Sequence, residues 1–269
     1  MTLSAELAIG VFDSGVGGLT VLDECLAQLP AEDFVYFGDT AWFPYGDRTD
    51  AELRDRSHLI AEWLMLSGVK TIVIACNTAT AAALTHLQMT LDIPVIGVMS
   101  SEAHAAVQTT RNRRVGLLAT EATVRSGSYE RMVHAHDAGV EVISVACPRL
   151  APAIQSGDPF DERIVEMVRE YTAPLRDGGV DTVILGCTHY PLVERLLRRN
   201  LPNTRLIKSG EELARELRGS LERKGLLRLG AGEGQYRFAC TGDPEAFQSL
   251  GARFLQMPLG TVDRVEFPA

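Results

Sequence analysis

Short runs of β-branched and other apolar residues alternate along the chain with longer stretches of helical periodicity. The predicted strands are Ile9–Phe12, Phe34–Phe37, Thr71–Ala75, Val95–Val98, Val115–Leu118, Val140–Val145, Thr182–Leu185 and Arg205–Ile207. The predicted helices include Ala51–Leu66, Ala79–Met89, Arg163–Leu175 and Glu211–Arg223. Strands that are apolar along their whole length are typical of parallel sheets covered on both faces by helices. The alternation therefore predicts an α/β fold with doubly wound, mostly parallel sheets.

One of these strands is repeated within the chain. Residues 68–78 read GVKTIVIACNT, residues 179–189 read GVDTVILGCTH, and the two align without a gap at an offset of 111 residues. A weaker echo relates AIGVFDSG at 8–15 to RVGLLATE at 114–121. Similar strands occur in any α/β protein, but a cysteine at the matching position of both segments favours duplication of a half-unit. The repeat thus predicts two pseudo-symmetric α/β domains that face each other.

The two matched cysteines, Cys76 and Cys187, directly follow their predicted strands. Ligands bind beyond the carboxyl ends of strands in open α/β sheets, so two facing sheets would place both thiols on opposite walls of one cleft. Racemisation needs such a pair, because one group removes a proton from one face of a carbon while another delivers a proton to the opposite face. We expect Asn77-Thr78 and Thr188-His189 to cap helix starts, and such N-termini lower a thiol pKa.

Other interpretations of the cysteines are open. A lone cysteine is more often a small buried apolar residue, and this interpretation is assigned to Cys25, Cys147 and Cys240. A hydrolase dyad of Cys187 and His189 would explain one thiol and leave the other matched cysteine without a role. The Cys-x-His spacing supplies only two metal ligands, so we expect no metal site.

Two further polar segments follow predicted strands. The loop DSGVGG at 13–18 can turn tightly and present backbone N–H groups to an anion, but Thr20 stands where a dinucleotide-binding motif has its last glycine. Asp13 and Ser14 look placed to bind an amino group and a carboxylate, although Asp13 could also cap a plain strand-to-helix turn. The turn Pro44-Tyr45-Gly46 could offer a phenol and a free N–H to a ligand, or be an ordinary surface turn.

Composition and charge exclude several classes of protein. The net charge of −9 argues against nucleic acid as the main partner, because phosphate binding needs a basic face. No run of about 18 apolar residues is present, so no membrane span is expected. The opening residues lack the basic and apolar regions of a signal peptide. The five cysteines, an odd number without a C-x-x-C pair, favour reduced thiols in a cytoplasmic enzyme.

Four segments together resemble the signature segments of the glutamate racemase branch of the aspartate/glutamate racemase family: DSGVGGLTV, YFGDTA followed by PYGDR, ACNTATA, and LGCTHYPL. The resemblance implies cofactor-independent conversion of L-glutamate to D-glutamate for peptidoglycan, without pyridoxal phosphate or metal, in a protein that is commonly a homodimer. It also implies two α/β domains, residues 1–98 plus 208–269 and residues 99–207, with the active site in the cleft between them.

The resemblance also implies roles for individual positions. Cys76 and Cys187 match the two catalytic thiols, the first acting on D-glutamate and the second on L-glutamate. Asp13, Asp39 and His189 match polar residues that assist proton transfer. The positions that match substrate-binding residues are Asp13, Ser14, Tyr45, Gly46, Asn77, Thr78, Thr188 and His189.

Three positions depart from the family pattern. Trp42 stands where many members have a polar residue, and Lys208 where an acidic residue is expected. Gln155 stands where many members carry a glutamate that assists a thiol, so support for Cys187 would have to come from His189 or water. Racemisation of a related acidic amino acid such as aspartate is the nearest alternative. A non-catalytic amino-acid-binding protein is another, but the presence of both thiols argues against it.

Overall fold

The computed structural model describes residues 3–156, 161–230 and 232–267, which form two parallel sheets flanked by helices. The strands are β1 Ala8–Asp13, β2 Phe34–Gly38, β3 Val69–Ile74, β4 Val95–Gly97, β5 Arg114–Ala119, β6 Glu141–Ala146, β7 Thr182–Gly186, β8 Arg205–Ile207, β9 Tyr236–Cys240 and β10 Val262–Arg264. The helices are α1 Leu19–Gln28, α2 Asp50–Leu66, α3 Asn77–Thr90, α4 Met99–Thr109, α5 Glu121–Ser126, α6 Ser128–His136, α7 Leu150–Ser156, α8 Glu162–Asp177, α9 Glu194–Asn200, α10 Glu211–Lys224 and α11 Pro244–Leu255.

The two sheets share one strand order. The larger sheet has the order β10-β9-β2-β1-β3-β4, and the smaller has β6-β5-β7-β8. Four strands of the larger sheet, β2-β1-β3-β4, therefore repeat the order of the smaller one, and β3 and β7 occupy matching places. The predicted doubly wound α/β fold with a pseudo-symmetric repeat is confirmed. The division into residues 1–98 plus 208–269 and 99–207 stays a prediction, which the passage of the chain between sheets at α4 and after β8 supports.

Alternate residues of the larger sheet pack into two different cores. Phe34 and Tyr36 of β2 belong to a core that includes α1, α10 and α11, whereas Val35 and Phe37 belong to a core with α2 and α3. Because neighbouring side chains of a strand point to opposite faces, helices cover both faces of this sheet. The double coverage explains why β1, β2 and β3 are apolar almost throughout.

The observed bounds differ from the predicted ones where polar residues enter strands. β3 begins at Val69 rather than Thr71, because the buried ammonium of Lys70 is paired with Glu32 at 2.5 Å and can lie inside the sheet. β9 and β10 are not predicted by the apolar pattern, since β9 includes Arg237 and β10 is a three-residue strand with two charged residues. Within the described residues, no helix is long and apolar enough to cross a membrane.

Candidate active site

One narrow cavity is lined by residues that follow strands of both sheets. The lining residues are Ser14, Phe43, Pro44, Tyr45, Gly46, Asp47, Cys76, Asn77, Thr78, Thr120, Pro148, Ala151, Pro152, Cys187, Thr188 and His189. The cavity is small, with a volume of about 30 Å³. Every predicted substrate-binding residue except Asp13 belongs to this lining, and both Asp13 and Asp39 lie behind it. The cavity therefore brings together both predicted thiols and most of their predicted polar neighbours.

Cys76 is the N-cap residue of helix α3. Its Sγ accepts a hydrogen bond from the backbone N–H of Ala79 at 3.5 Å and donates to the Oγ of Ser14 at 3.8 Å. The prediction that Asn77 or Thr78 caps this helix is wrong, because the sulfur occupies the cap position. Asn77 and Thr78 lie in the first helical turn instead, where both line the cavity.

Cys187 has a different local setting. The chain after it turns into a short 3₁₀ helix, Tyr190–Val193, and only then enters α9. The thiol lies 3.8 Å from Nδ1 of His189. The predicted helix start is observed, with His189 as the N-cap residue of this 3₁₀ helix and Pro191 in its first turn, but the His189 side chain makes no cap hydrogen bond. The side-chain neighbour of the Cys187 thiol is therefore an imidazole, and no α-helix begins directly at this cysteine.

Burial governs the ionisation of both thiols. Loss of solvent raises the pKa of Cys76 to about 12, and the charge of Asp13 acts in the same direction. Burial also raises the pKa of Cys187 well above its ordinary value. The expectation that helix N-termini lower these pKa values is wrong, because desolvation outweighs the N–H hydrogen bonds to the sulfurs. No Lys or Arg is found among the cavity-lining residues that the structure describes, and both cysteines are neutral thiols at neutral pH.

Asp13 connects the two halves of the site. Its Oδ1 accepts a hydrogen bond from the N–H of Gly15 at 3.0 Å, and its Oδ2 accepts one from the hydroxyl of Thr188 at 3.3 Å. Burial raises the pKa of Asp13 to about 6, although these hydrogen bonds oppose the shift. Asp13 does not cap α1, whose N-cap is Gly18 without a side-chain bond. The carboxyl group of Asp13 therefore contacts a residue of the other half of the site and does not cap helix α1.

The glycines after Asp13 allow the halves to approach closely. A β-carbon at residue 17 would lie 2.5 Å from Nδ1 of His189 and 2.5 Å from Oγ1 of Thr188. A β-carbon at residue 18 would lie 2.5 Å from the β-carbon of Asp13. Heavy atoms cannot pack at such distances, so the loop reaches the opposite wall only because Gly17 has no side chain, and Gly18 allows it to pack against Asp13 in its own half.

Gln155 on α7 contacts the imidazole beside Cys187. Its Oε1 lies 2.9 Å from Nε2 of His189, and burial lowers the pKa of His189 to about 4, so the ring is neutral at neutral pH. A neutral ring that donates from Nε2 carries its lone pair on Nδ1, the nitrogen that faces the sulfur of Cys187. The amide oxygen of Gln155 thus favours the tautomer that can accept the thiol proton.

Asp39 is held in a network behind Tyr45. Its carboxylate accepts hydrogen bonds from Tyr45 at 2.7 Å and from the hydroxyl of Thr241 at 2.8 Å. Arg56 donates to both carboxylate oxygens, at 2.6 and 2.8 Å. The predicted part of Asp39 in proton transfer stays a prediction, and these contacts favour a part in orienting Tyr45 instead.

A hydroxyl cluster that sequence analysis does not single out joins the two halves. The hydroxyl of Thr78 lies 2.9 Å from that of Thr120 and 3.2 Å from that of Thr123. Thr120 lines the cavity and caps α5. The weaker internal echo aligns Thr120 with Ser14, so carrying the role of Ser14 across the repeat would have found it. The apolar wall formed by Phe43, Pro148 and Pro152 has no comparable signal in the sequence.

The remaining two departures from the family pattern lie in different places. Trp42 meets the ring of Tyr45 edge-on at 5.5 Å, and the guanidinium of Arg48 lies 4.3 Å from its ring centroid. It therefore supports the wall that Tyr45 forms. Lys208 is 45% exposed and pairs with Glu194 at 3.2 Å, outside the cavity lining. Among the described residues, no three His, Cys, Asp or Glu side chains are grouped as metal ligands would be.

Comparison with known proteins identifies the family. The model of the Asp/Glu/Hydantoin racemase family matches residues 9–217. A glutamate racemase of Geobacter metallireducens is 43% identical over 263 residues, which cover 97% of each chain. The crystal structure of a glutamate racemase isoform from Bacillus anthracis superposes with a TM-score of 0.94 at 39% identity, covering 98% of this chain and 99% of that one. A glutamate racemase from Francisella tularensis in complex with D-glutamate superposes with a TM-score of 0.91 at 33% identity, covering 97% and 98%. This chain therefore belongs to the Asp/Glu/hydantoin racemase family.

Proposed function

We propose that this chain interconverts L- and D-glutamate by a two-thiol acid/base reaction that needs no cofactor. The observation that carries the proposal is the placement of Cys76 and Cys187, which follow matching strands of the two sheets and line the same narrow cavity. Family membership supports racemisation, and full-length relatives named glutamate racemase support glutamate as the substrate.

The reaction from L- to D-glutamate is assigned as two proton transfers. The thiolate of Cys187 takes the α-proton, and the electron pair of the C–H bond remains on the α-carbon. The thiol of Cys76 then gives its proton to the opposite face, which leaves a thiolate at Cys76 and a thiol at Cys187. The reverse direction exchanges the two roles, as symmetry of the chemical step requires.

The thiolate must be generated within the site, because burial keeps both cysteines protonated. For Cys187, the acceptor is Nδ1 of His189 at 3.8 Å, in the tautomer that Gln155 favours. For Cys76, we assign the acceptor to Asp13, whose pKa of about 6 leaves it ionised at neutral pH and whose charge acts on this thiol. The two sides of the site thus use different bases.

The cavity binds anionic groups without cationic side chains. Among the described lining residues, hydroxyl groups come from Ser14, Thr78 and Thr120, since those of Tyr45 and Thr188 donate to Asp39 and Asp13, and Gly46 adds a backbone N–H. We assign these donors to the two carboxylates of glutamate, since neutral donors can bind a carboxylate without the strong attraction that would hold the product.

The cellular setting is proposed from the resemblance. We infer that the protein acts in the cytoplasm as a homodimer and supplies D-glutamate for peptidoglycan. The domains are inferred to be residues 1–98 plus 208–269 and residues 99–207, so that the cleft between them places Cys76 and Cys187 on opposite faces of the substrate.

A chiral assay of the purified protein tests the proposal. We expect L-glutamate and D-glutamate each to be converted to an equal mixture, and aspartate to react far more slowly. Conversion of aspartate but not glutamate would replace the assigned substrate. Binding of glutamate without conversion would reduce the chain to an amino-acid-binding protein.

A further inference from the structure

A buried carboxylate lies behind the substrate cavity and has no part in the two-thiol reaction. Glu102 is on α4, the helix that connects the two sheets, and it is only 1% exposed. Nδ2 of Asn77 donates a hydrogen bond to its Oε2 at 3.0 Å. The hydroxyls of Tyr129 and Ser209 donate to the same carboxylate. Three donors from three separate segments therefore converge on one buried acceptor.

The other end of the Asn77 amide has no partner. Asn77 lines the cavity beside Cys76, and its Oδ1 is buried without a hydrogen bond from any residue that the structure describes. Buried amide oxygens are normally hydrogen-bonded, so the unpaired Oδ1 of this cavity-lining residue can accept from a donor that arrives with the substrate. Glutamate has two carboxylates, which only accept, and one ammonium, which only donates. Oδ1 of Asn77 therefore fits the α-ammonium.

We infer that Glu102 is a positioning residue that holds the Asn77 amide with its oxygen turned toward the substrate ammonium. An ionised carboxylate can only accept, so the NH₂ end of the amide must face Glu102. A half-turn of the amide would set Oδ1 against the carboxylate oxygens and point the NH₂ group at the positively charged ammonium. The inference rests on the proposed function, because it assigns part of the substrate site.

The hydrogen bonds to Glu102 favour its ionised form, and burial opposes it. Asn77, Tyr129 and Ser209 all donate to it, and Tyr129 also accepts from Nδ2 of Asn77 at 2.6 Å. Burial raises the pKa of Glu102 to about 7, and the three hydrogen bonds oppose that shift. Hydrogen bonds to an ionised acceptor are stronger than neutral ones, so the carboxylate fixes the amide more firmly than a neutral partner could.

The isosteric change Glu102→Gln tests the inference. Glutamine at position 102 can donate from its own NH₂ group to Oδ1 of Asn77. The Asn77 amide is then no longer held with Oδ1 toward the substrate ammonium. We expect KM for glutamate to rise about tenfold or more while kcat changes less, because the ammonium contact is present in both ground and transition states. Ser209→Ala is the matched control: it removes one donor from Glu102 without touching Asn77, and KM should change by less than about threefold.

A double variant provides a rescue. Aspartate at position 77 has an oxygen on both ends, so it presents an acceptor to the ammonium in either orientation. In Asn77→Asp with Glu102→Gln, the new glutamine supplies the donor that the aspartate needs, and KM should return toward that of the unaltered protein. Asn77→Asp alone sets two buried carboxylates against each other and should bind glutamate less well than the double variant.

The outcomes separate this inference from the proposed function. Unchanged KM in E102Q, or equal losses in E102Q and S209A, would overturn the inference while racemisation stands. No conversion by the unaltered protein would overturn the proposed function and this assignment with it. If E102Q does not fold, Tyr129→Phe tests the inference instead. This variant removes the hydrogen bond between Tyr129 and Asn77 and leaves the direct hydrogen bond between Asn77 and Glu102. A rise in KM below about threefold supports Glu102, and a tenfold rise would assign control of the amide to Tyr129.

Discussion

At the residue scale, each thiol has its own neighbour for handling a proton. Cys187 faces the imidazole of His189, whereas Cys76 lies near Ser14 and the carboxyl group of Asp13. Burial raises the pKa of both thiols, so neither reacts as a thiolate without such a neighbour. The thiols are therefore alike in chemistry but differ in the base that activates them.

Replacing either thiol should stop racemisation. We expect Cys76→Ala and Cys187→Ala each to lose at least about 10²–10⁴-fold in kcat, because each thiol serves one face of the α-carbon. Cys147→Ala is the control, since Cys147 is buried outside the cavity lining and should matter little for the reaction. Chiral chromatography of the products measures the rates, and circular dichroism checks the fold. Half the normal activity in either site variant would contradict the assignment.

Gln155→Glu should move the acidic limb of the pH–rate profile to higher pH. Burial holds the pKa of His189 at about 4. A carboxylate in place of the amide oxygen 2.9 Å from Nε2 would favour the imidazolium. Close opposite charges shift a pKa by about 1–3 units, so the His189 pKa would rise. The imidazolium has no lone pair on Nδ1, so activity on L-glutamate should be lost sooner as pH falls.

The measurement is kcat/KM for L-glutamate as a function of pH. Gln155→Leu removes the hydrogen bond without adding charge, so it should reduce kcat without moving the acidic limb upward. A profile for Gln155→Glu that matches the unaltered protein would show that residue 155 does not act on His189.

At the element scale, the loop between β1 and α1 determines how closely the two walls meet. Gly17 lies against Thr188 and His189 so tightly that no side chain fits. The loop thus places Asp13 and Ser14 against residues that come from the other sheet, which makes its backbone as much a part of the site as its side chains.

Gly17→Ala should impair activity far more than stability. The added methyl group would push His189 and Thr188 away from Cys187, and displacements of about 1 Å in an active site cost about 10²-fold in rate. Gly260→Ala is the matched control, because a β-carbon there meets nothing within 4 Å. Steady-state kinetics and thermal unfolding separate the two effects. A Gly17→Ala variant with normal kcat/KM would mean that the close approach is not needed.

The elements that the sequence predicts well are those with a strong apolar signal. β1, β2, β5 and β7 are close to their predicted bounds because each is a buried strand with few polar residues. β9 and β10 escape prediction because sheet pairing, rather than composition, makes Arg237 and Asp263 part of strands. The start of α3 is misplaced because a cysteine is not a usual cap, and only the structure shows its sulfur accepting from Ala79.

At the scale of the whole molecule, the site exists only where the two sheets meet. The internal repeat predicts that Cys76 and Cys187 share a cleft, because equivalent strands end at equivalent places. Contacts between segments distant in sequence are not predictable in this way. The approach of Glu102 to Asn77 depends on helix α4, whose sequence carries no motif for this contact. The family resemblance places residue 155 beside Cys187, but only the structure shows that Gln155 contacts His189.

The origin of the incorporated proton tests the two-sided site. In heavy water, the first D-glutamate formed from L-glutamate should carry deuterium at the α-carbon, because Cys76 exchanges its proton with solvent before donating it. The remaining L-glutamate should stay nearly free of deuterium at low conversion, because the proton held by Cys187 returns or leaves after the product departs. Mass spectrometry of the separated enantiomers makes the measurement. Early D-glutamate rich in protium would indicate one base that carries the same proton across.

The unequal surroundings of the two thiols have a kinetic consequence. Enantiomers have the same free energy in water, so the equilibrium constant of racemisation is unity whatever protein catalyses it. The ratio of kcat/KM in the two directions must equal that constant. The imidazole beside Cys187 and the carboxyl group beside Cys76 can therefore give L- and D-glutamate different kcat and different KM, yet the two quotients must agree. Asymmetry in the walls of the cleft sets how each enantiomer is held and how fast it turns over, and it cannot favour one as the final product.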